Sequence, residues 1–394
     1  MIHKLNKIFI SVPLAVLIFY SCTPSEKYLR SKSAEISTGS NYVRVLIGIE
    51  NDSFKINSDS GLRVIDKKDS RIIYETKNRG LSFYPAKIKN IYLIESDSNV
   101  LYVNKTGYRG KIELHNVLGK IYIINVLNVE EYLFSVVPSE MPSSWNIEAL
   151  KAQAVAARTY SYYYLLKNKN KNIYDLDSTT NFQVYHGISA ETPSSREAVT
   201  KTAGVIMTYN YEPILAFFHS TSGGKTADDK DVWPGTDLPY LNSVECKYSE
   251  NSPHYQWTTE LTIKEIIDAL SKKYKRIDNI QKISFKKNND RVVEVTIEHN
   301  NGTINLTGND FRMMFPPQKL KSTFFTAKRD KKSLVIYGRG WGHGVGMCQW
   351  GAKGRGEHGF KFNEILSFYY KGIKFQKINN NYLAQKKGSI HVVN

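Results

Sequence analysis

Short apolar runs separated by turn residues fill the chain from Tyr42 to about Leu127: VRVLIGI, SFKI, GLRVI, RIIYE, LSFY, NIYLI, VLYV, KIELH and KIYIINVL, with Asn, Asp, Ser and Gly between them. Alternation with a period of two predicts antiparallel strands, so this part reads as β-rich. The period then changes. Leu150, Ala154, Ala157, Ser161 and Tyr164 recur at spacings of four and three, which predicts a helix over about 146 to 167 with a mostly small packing face. Ser144 or Asn146 can cap it, and Glu148 falls in its first turn. Farther on, the pattern predicts a helix at 262 to 275, strands near 281 to 286 and 291 to 298, and a last helix, NEILSFYYKGI, with Ile365, Phe368 and Tyr369 on one face. The fold class is therefore α+β: a β-rich N-terminal part packed with a mixed α/β core, and a small inserted lobe.

The extreme N-terminus has another character. Lys4 and Lys7 precede an apolar run from Ile8 to Tyr20, too short to span a bilayer comfortably and shaped like a signal peptide. Ser21-Cys22 follows, then a polar stretch to about Ser40. A cysteine after a small residue at the end of such a run resembles the lipobox of bacterial lipoproteins, which makes Cys22 the expected lipidated residue. Phe19 and Tyr20 depart from the Leu and small residue usual there, and plain cleavage and secretion is the other reading. Either way the expectation is export to the cell envelope. The expected organisation is signal at 1–22, linker at 23–40, β-rich part at 41–127, core at 128–245, inserted lobe at 246–333, final motif and helix at 334–376, and tail at 377–394.

The net charge of +17 favours polyanions. For an exported chain these are the carboxylates of peptidoglycan, anionic lipid or another envelope polymer; the lysines are scattered, so compositional drift accounts for them equally well. The export signal disfavours nucleic acid. Beyond Cys22 only Cys246 and Cys348 remain, which makes no disulfide framework. No Cys-x-x-Cys or His-x-x-x-His spacing suggests zinc, and no metal or other cofactor is expected.

Four segments could carry chemistry. VVPSEMPSSWNIEALKAQAVAARTYS, residues 136 to 161, sets Glu140 between Pro138 and Pro142, which restrict the backbone and predict a stiff connection ahead of the helix. Taken alone, Glu140 is a presented acid, a solvated loop carboxylate or a helix-dipole partner. HSTSGGKTADDKDVW, residues 219 to 233, ends an apolar run and offers hydroxyls and glycine amides. Its Gly224-Lys225-Thr226 is not a phosphate loop, because His219 stands where that motif needs glycine. GRGWGHGVGMCQWGAKGRG, residues 338 to 356, alternates glycines, clearing one face of the chain so that His343 and a sugar-sized ligand could approach the backbone. DSTTNFQVYHG, residues 177 to 187, contains Gln183 and Tyr185, the latter a sugar contact or a core aromatic. Asp228, Asp229 and Asp231 are rival carboxylates whose clustering reads as a solvated turn. Glu130 and Glu131, at the end of a strand, read as structural or capping.

Together with NVEEYLFSVVPSEM and Tyr108-Arg109-Gly110, these motifs resemble the SpoIID/LytB family of cell-wall proteins over roughly residues 41 to 376. The resemblance implies a lytic transglycosylase that cuts peptide-free peptidoglycan glycan strands between N-acetylmuramic acid and N-acetylglucosamine, leaving 1,6-anhydro ends, with Glu140 as single acid/base. It implies that His219, Ser220, Ser222, Gly223, Gly224, His343, Gln349, Gln183 and Tyr185 contact the glycan. LytB-type relatives instead modify a cell-wall amidase, so a non-catalytic enhancer with an amidase partner, or a glycan-binding scaffold, is the alternative. Two departures stand out. Cys348 occupies a position where the family usually has serine. Leu176, Asp177 and Phe182 stand near where some relatives carry zinc-binding cysteines.

Overall fold

The computed structural model describes residues 41–77, 80–168, 172–179 and 182–378, so Cys22 and the expected linker lie outside the described residues. The β-rich part forms two sheets. One has seven strands in the order Leu176–Asp177, Tyr42–Glu50, Lys120–Asn128, Lys111–Val117, Tyr92–Glu95, Leu62–Asp66 and Arg71–Thr76. The other has four, in the order Leu81–Phe83, Phe54–Asn57, Val100–Val103 and Thr106–Arg109. Along Lys111–Val117 and Lys120–Asn128 the apolar positions Ile112, Leu114, Ile121 and Ile123 point into the core, as the period of two requires.

Helix α1 spans Val129–Glu140, α2 Ile147–Lys167 and α3 Pro193–Lys201. Asn146 caps α2 by accepting from the Glu148 N–H at 2.8 Å. The expected small face is buried, and so is nearly everything around it: the run from Ala152 to Tyr162 is buried throughout. An alanine-rich helix can be surrounded because its neighbours come close on every side, here α1, α3 and the strand Val205–Tyr209.

Residues 129–140 correct the sequence reading. The stretch expected as a strand end and stiff connection is a helix, capped by Asn128, with Glu130 and Glu131 in its first turn and Pro138 inside it. Proline removes the hydrogen bond to the carbonyl four residues back. Here that carbonyl, Phe134 O, accepts from Ser195 Oγ of α3 at 3.1 Å, so the loss is made good across the core. Glu130 is not merely a cap: its carboxylate takes two hydrogen bonds from the fully buried Arg158, at 2.8 and 2.6 Å.

The remaining helices are α4 (Asp229–Val232), α5 (Ile263–Ser271), α6 (Gly308–Met313), α7 (Gln349–Glu357) and α8 (Phe362–Tyr369). The β-rich part, α1 to α3, α7 and α8 share one core, in which Val43, Ile112, Leu150, Met347 and Ile365 are all buried. Residues from Trp257 to Ile336 have a core of their own, built on Leu261, Ile266, Val295, Phe311 and Leu334. Two three-stranded antiparallel sheets carry it, one ordered Gln256–Thr262, Ser333–Arg339, Phe325–Arg329 and the other Ile280–Asn288, Arg291–His299, Gly302–Thr307. No described helix is long and apolar enough to cross a membrane.

The glycine-rich run 338–346 differs from its expected role. Its glycines admit protein rather than leaving a face open: a Cβ at Gly338 would meet the Trp257 ring at 2.1 Å, and one at Gly342 would meet His219 Cβ at 2.9 Å. Gly346 is the tightest case with a left-handed backbone, at φ +70°, and a Cβ there would sit 2.0 Å from the Phe217 carbonyl oxygen. Gly346→Ala is expected to destabilise by about 2–4 kcal/mol, summing backbone strain and overpacking. Urea unfolding monitored by tryptophan fluorescence measures it.

Candidate active site

Glu140 ends α1, and its carboxylate lies where three segments converge. Its Oε1 accepts from the Val184 N–H at 3.0 Å, and its side chain also hydrogen-bonds that of Gln349 in the first turn of α7. Burial pushes its pKa above the ordinary 4.5, against the lowering effect of those two hydrogen bonds. The Gln349 Nε2 donates on to Gln153 Oε1 at 3.4 Å, and beside it Trp350 packs edge-on to Trp145 with ring centroids 4.9 Å apart. The raised pKa has a consequence for stability. A neutral carboxyl suits the site, so the acid's contribution is whole below 4.5 and falls as pH rises through the elevated folded value. Glu140→Gln should therefore melt at higher temperature than the parent at pH 7, with the gap closing below pH 4.5. Thermal scans across pH test this.

Other acids in these elements are committed elsewhere. Glu148 pairs with Lys151 at 2.7 Å and accepts from the Phe362 N–H at 2.9 Å, while Glu191 takes the Arg109 guanidinium at 2.7 Å. The Asp228–Asp231 cluster is no solvated turn. Asp229 is buried and accepts from the Leu238 N–H at 2.9 Å, Asp228 accepts from the Ser243 N–H at 2.6 Å, and Asp231 accepts from Asn288 at 2.9 Å. These carboxylates hold loops.

Gln183 and Tyr185 flank the amide that holds Glu140, but their side chains turn inward. The Gln183 carboxamide is fully buried, accepting from Tyr132 and Ser161 and donating to Ala157 O. Tyr185 is buried and donates to Asn125 Oδ1 at 2.7 Å. Near them Leu176 is buried in the core, the Phe182 ring sits edge-on to Tyr164, and Asp177 accepts from the Thr179 N–H at 2.8 Å. Among the described residues no group of three or more His, Cys, Asp or Glu side chains could hold a metal ion.

The two Ser/Gly-rich segments zip together. Phe218–His219 pairs in parallel with Met347–Cys348, and Thr221 bridges Trp341. His343 Nδ1 accepts from the Val345 N–H at 3.1 Å, so its Nε2 carries the proton and donates to Phe218 O at 2.9 Å. Burial and the nearby Arg312 push its pKa down to about 3. His219 donates from Nδ1 to Val345 O at 3.1 Å, and burial and His343 hold it neutral too. The His343 ring packs against Phe217, Trp233 and His219, and each imidazole holds a loop carbonyl, while His219 Nε2 is buried without a partner.

Ser222 is fully buried, and Gly223 and Gly224, with φ of +75° and +108°, are pressed against Arg339. Ser220 is different: only partly buried, it accepts at its carbonyl from the Trp350 N–H at 3.1 Å, beside Gln349. Cys348 caps α7, accepting at Sγ from the Gly351 N–H at 3.3 Å and from the Ser222 N–H at 3.2 Å, which supplies the role that its departure from serine put in question. Cys246 and Cys348 meet: their thiols hydrogen-bond and both are free. The Val184 amide, Gln153 and Trp350 are not among the residues expected at the site. Trp350 was within sight, next to Gln349 in the motif; the amide could not be, since only the fold brings Val184 to Glu140.

Comparisons with known proteins match the sequence of the chain to a family. Residues 118–209, which hold α1, α2 and the 177–187 segment, match the SpoIID profile, described as stage II sporulation protein. Residues 243–346 match a domain of unknown function. The chain is 36% identical over 281 residues to an uncharacterized protein of Brachyspira hyodysenteriae, covering 70% of this chain and 74% of that one. It is 35% identical over 275 residues to stage II sporulation protein D of Bacillus subtilis, covering 66% and 78% respectively. It is also 32% identical over 291 residues to the amidase enhancer of Bacillus subtilis, covering 61% of this chain but 39% of that protein. By the identity and coverage of these relatives, the chain belongs to the SpoIID family.

Proposed function

We propose that this protein is a cell-wall enzyme, a lytic transglycosylase that cuts peptidoglycan glycan strands stripped of stem peptides, with Glu140 as its single acid/base. The family assignment and the amidase-enhancer relative support the cell-wall role. The observation that carries the chemistry is the setting of Glu140: a carboxyl favoured in its neutral form, oriented by the Val184 amide and Gln349, with the neighbouring acids committed to other partners. Hydrolysis of a glycoside ordinarily uses two carboxylates. One suffices where the substrate supplies its own nucleophile.

In this reading the Glu140 O–H gives its proton to the oxygen linking N-acetylmuramic acid to N-acetylglucosamine as the C1–O bond breaks. The C6 hydroxyl oxygen of the muramic acid bonds to C1, and its proton passes to the Glu140 carboxylate. The acid is regenerated, no water is consumed, and the product ends in a 1,6-anhydro ring. Ser220, Gln349 and the Trp145–Trp350 pair line the approach, and His219, His343, Ser222, Gly223 and Gly224 shape the loops behind it. Gln183 and Tyr185 support it from beneath. We place the protein at the envelope, exported and held by a lipid on Cys22.

The test is product analysis. Full chain in detergent is incubated with peptide-free strands, and the new ends are read by mass spectrometry. Anhydro ends support the proposal, whereas reducing ends would mean hydrolysis by another route. The relationship to the amidase enhancer favours one second reading, a non-catalytic partner of an amidase. Absence of cleavage, together with faster digestion when a cell-wall amidase is added, would establish it.

A further inference from the structure

We infer that the lobe with its own core carries a second saccharide subsite, a cavity of 450 Å³ that binds an amino sugar bearing a carboxylate on the glycan strand. The inference rests on the glycan reading above and extends it to a surface away from Glu140. The volume falls within the roughly 300–1,000 Å³ of small-ligand sites.

Its floor is one row of a sheet. Tyr337 lies in register with Thr258 on one neighbouring strand and Thr326 on the other, so all three side chains stand on the same face. That face is the outer one: Tyr337 is 49% exposed and both threonines are exposed, while Trp257 and Phe325, one position along, are buried in the lobe's core. An exposed aromatic ring flanked by hydroxyls suits a pyranose, whose axial C–H bonds meet the negative π face while its hydroxyl and acetamido groups reach the edges. A bare apolar partner would leave both threonines without hydrogen-bonding partners.

The wall supplies charge. The Arg339 guanidinium lies over the Tyr255 and Phe324 rings, 4.9 and 5.2 Å from their centroids, and its Nε is buried without a partner. Lys287 lines the same cavity. Among the described residues neither cation has a carboxylate within ion-pair distance. Asp290 also lines the cavity, so the two cations leave it one positive charge in excess, and that excess beside an aromatic floor fits a carboxylated sugar such as a muramic acid residue. Position fits as well. Arg339 backs Gly223 and Gly224, and the hairpin that carries Lys287 and Asp290 is tied through Asn288 to Asp231, so the cavity adjoins the Ser/Gly segment whose other end reaches Gln349 through Ser220 and Trp350.

Binding separates this subsite from the catalytic proposal. Full chain carrying Glu140→Gln, which leaves strands uncut, is titrated with long peptide-free strands by fluorescence polarisation. Adding Tyr337→Ala should weaken binding about tenfold, the worth of one stacked ring, and Lys287→Ala should weaken muramic-acid strands but not uncharged N-acetylglucosamine oligomers. Unchanged affinity in both variants, with unchanged melting temperature, would overturn the subsite, as would binding only to strands that keep their peptides. Tyr337-dependent binding in a protein whose parent forms no anhydro ends would uphold the subsite and remove the catalytic reading alone.

Discussion

Glu140→Gln is expected to lower turnover of peptide-free glycan by roughly 10²–10⁴-fold, the range for removal of a positioned general acid, or about 3–5 kcal/mol of barrier. The variant isolates proton transfer. Glutamine keeps the shape of the side chain and a carbonyl oxygen that can accept from the Val184 N–H, now held at 3.0 Å. It removes only the transferable proton. Because burial favours the neutral form of Glu140, glutamine is expected to keep the fold at pH 7, and an unchanged or higher melting temperature separates loss of activity from unfolding. The measurement is the initial rate of anhydro-end formation beside a melting curve on the same sample. Full activity in the variant would remove Glu140 from the chemistry.

Arg158→Ala carries the largest expected effect on stability, a loss of about 3–5 kcal/mol, the cost of breaking a buried ion pair from one side. Arg158 is fully buried and its guanidinium is completely engaged: two hydrogen bonds to Glu130, and others to Val199 O and Val205 O, both at 3.2 Å. Removing it leaves the Glu130 carboxylate with only the Gly204 N–H at 3.1 Å, strands two carbonyls and opens a cavity in the middle of α2. Arg158→Lys should recover only part of the loss, since an ammonium cannot make the paired contacts of the guanidinium fork. Urea midpoints for the two variants rank them. Because Glu130 opens the helix that Glu140 closes, a loosened Arg158 should also lower activity in the fraction that stays folded.

Some of this could be read from the chain. Alternation gave the strands, the four-and-three spacing gave α2 with Ser144 or Asn146 as its cap, of which the fold uses Asn146, and the Pro-framed glutamate stood out as a candidate acid. Helix α1 escaped because Pro138 argues against a helix locally, and only Ser195, far along the chain, satisfies the carbonyl that proline leaves free. Helix α7 escaped for a related reason. Its glycines at 351, 354 and 356 are poor helix formers, yet each lets α7 sit against Cys246 and Tyr369, the Tyr248 backbone or Asn146.

The α+β class and the family motifs, with Glu140 among them, were legible in the chain, because periodicity and residue chemistry are local properties. What surrounds Glu140 was not legible, because it depends on folding. The Val184 amide and Gln349 reach Glu140 from segments distant in sequence, and the two histidines expected in the groove turn instead to each other and to loop carbonyls, His219 buried and His343 half-buried. Burial and hydrogen bonding depend on which segments meet. That pairing is set by packing of the whole core, which no short window of sequence contains.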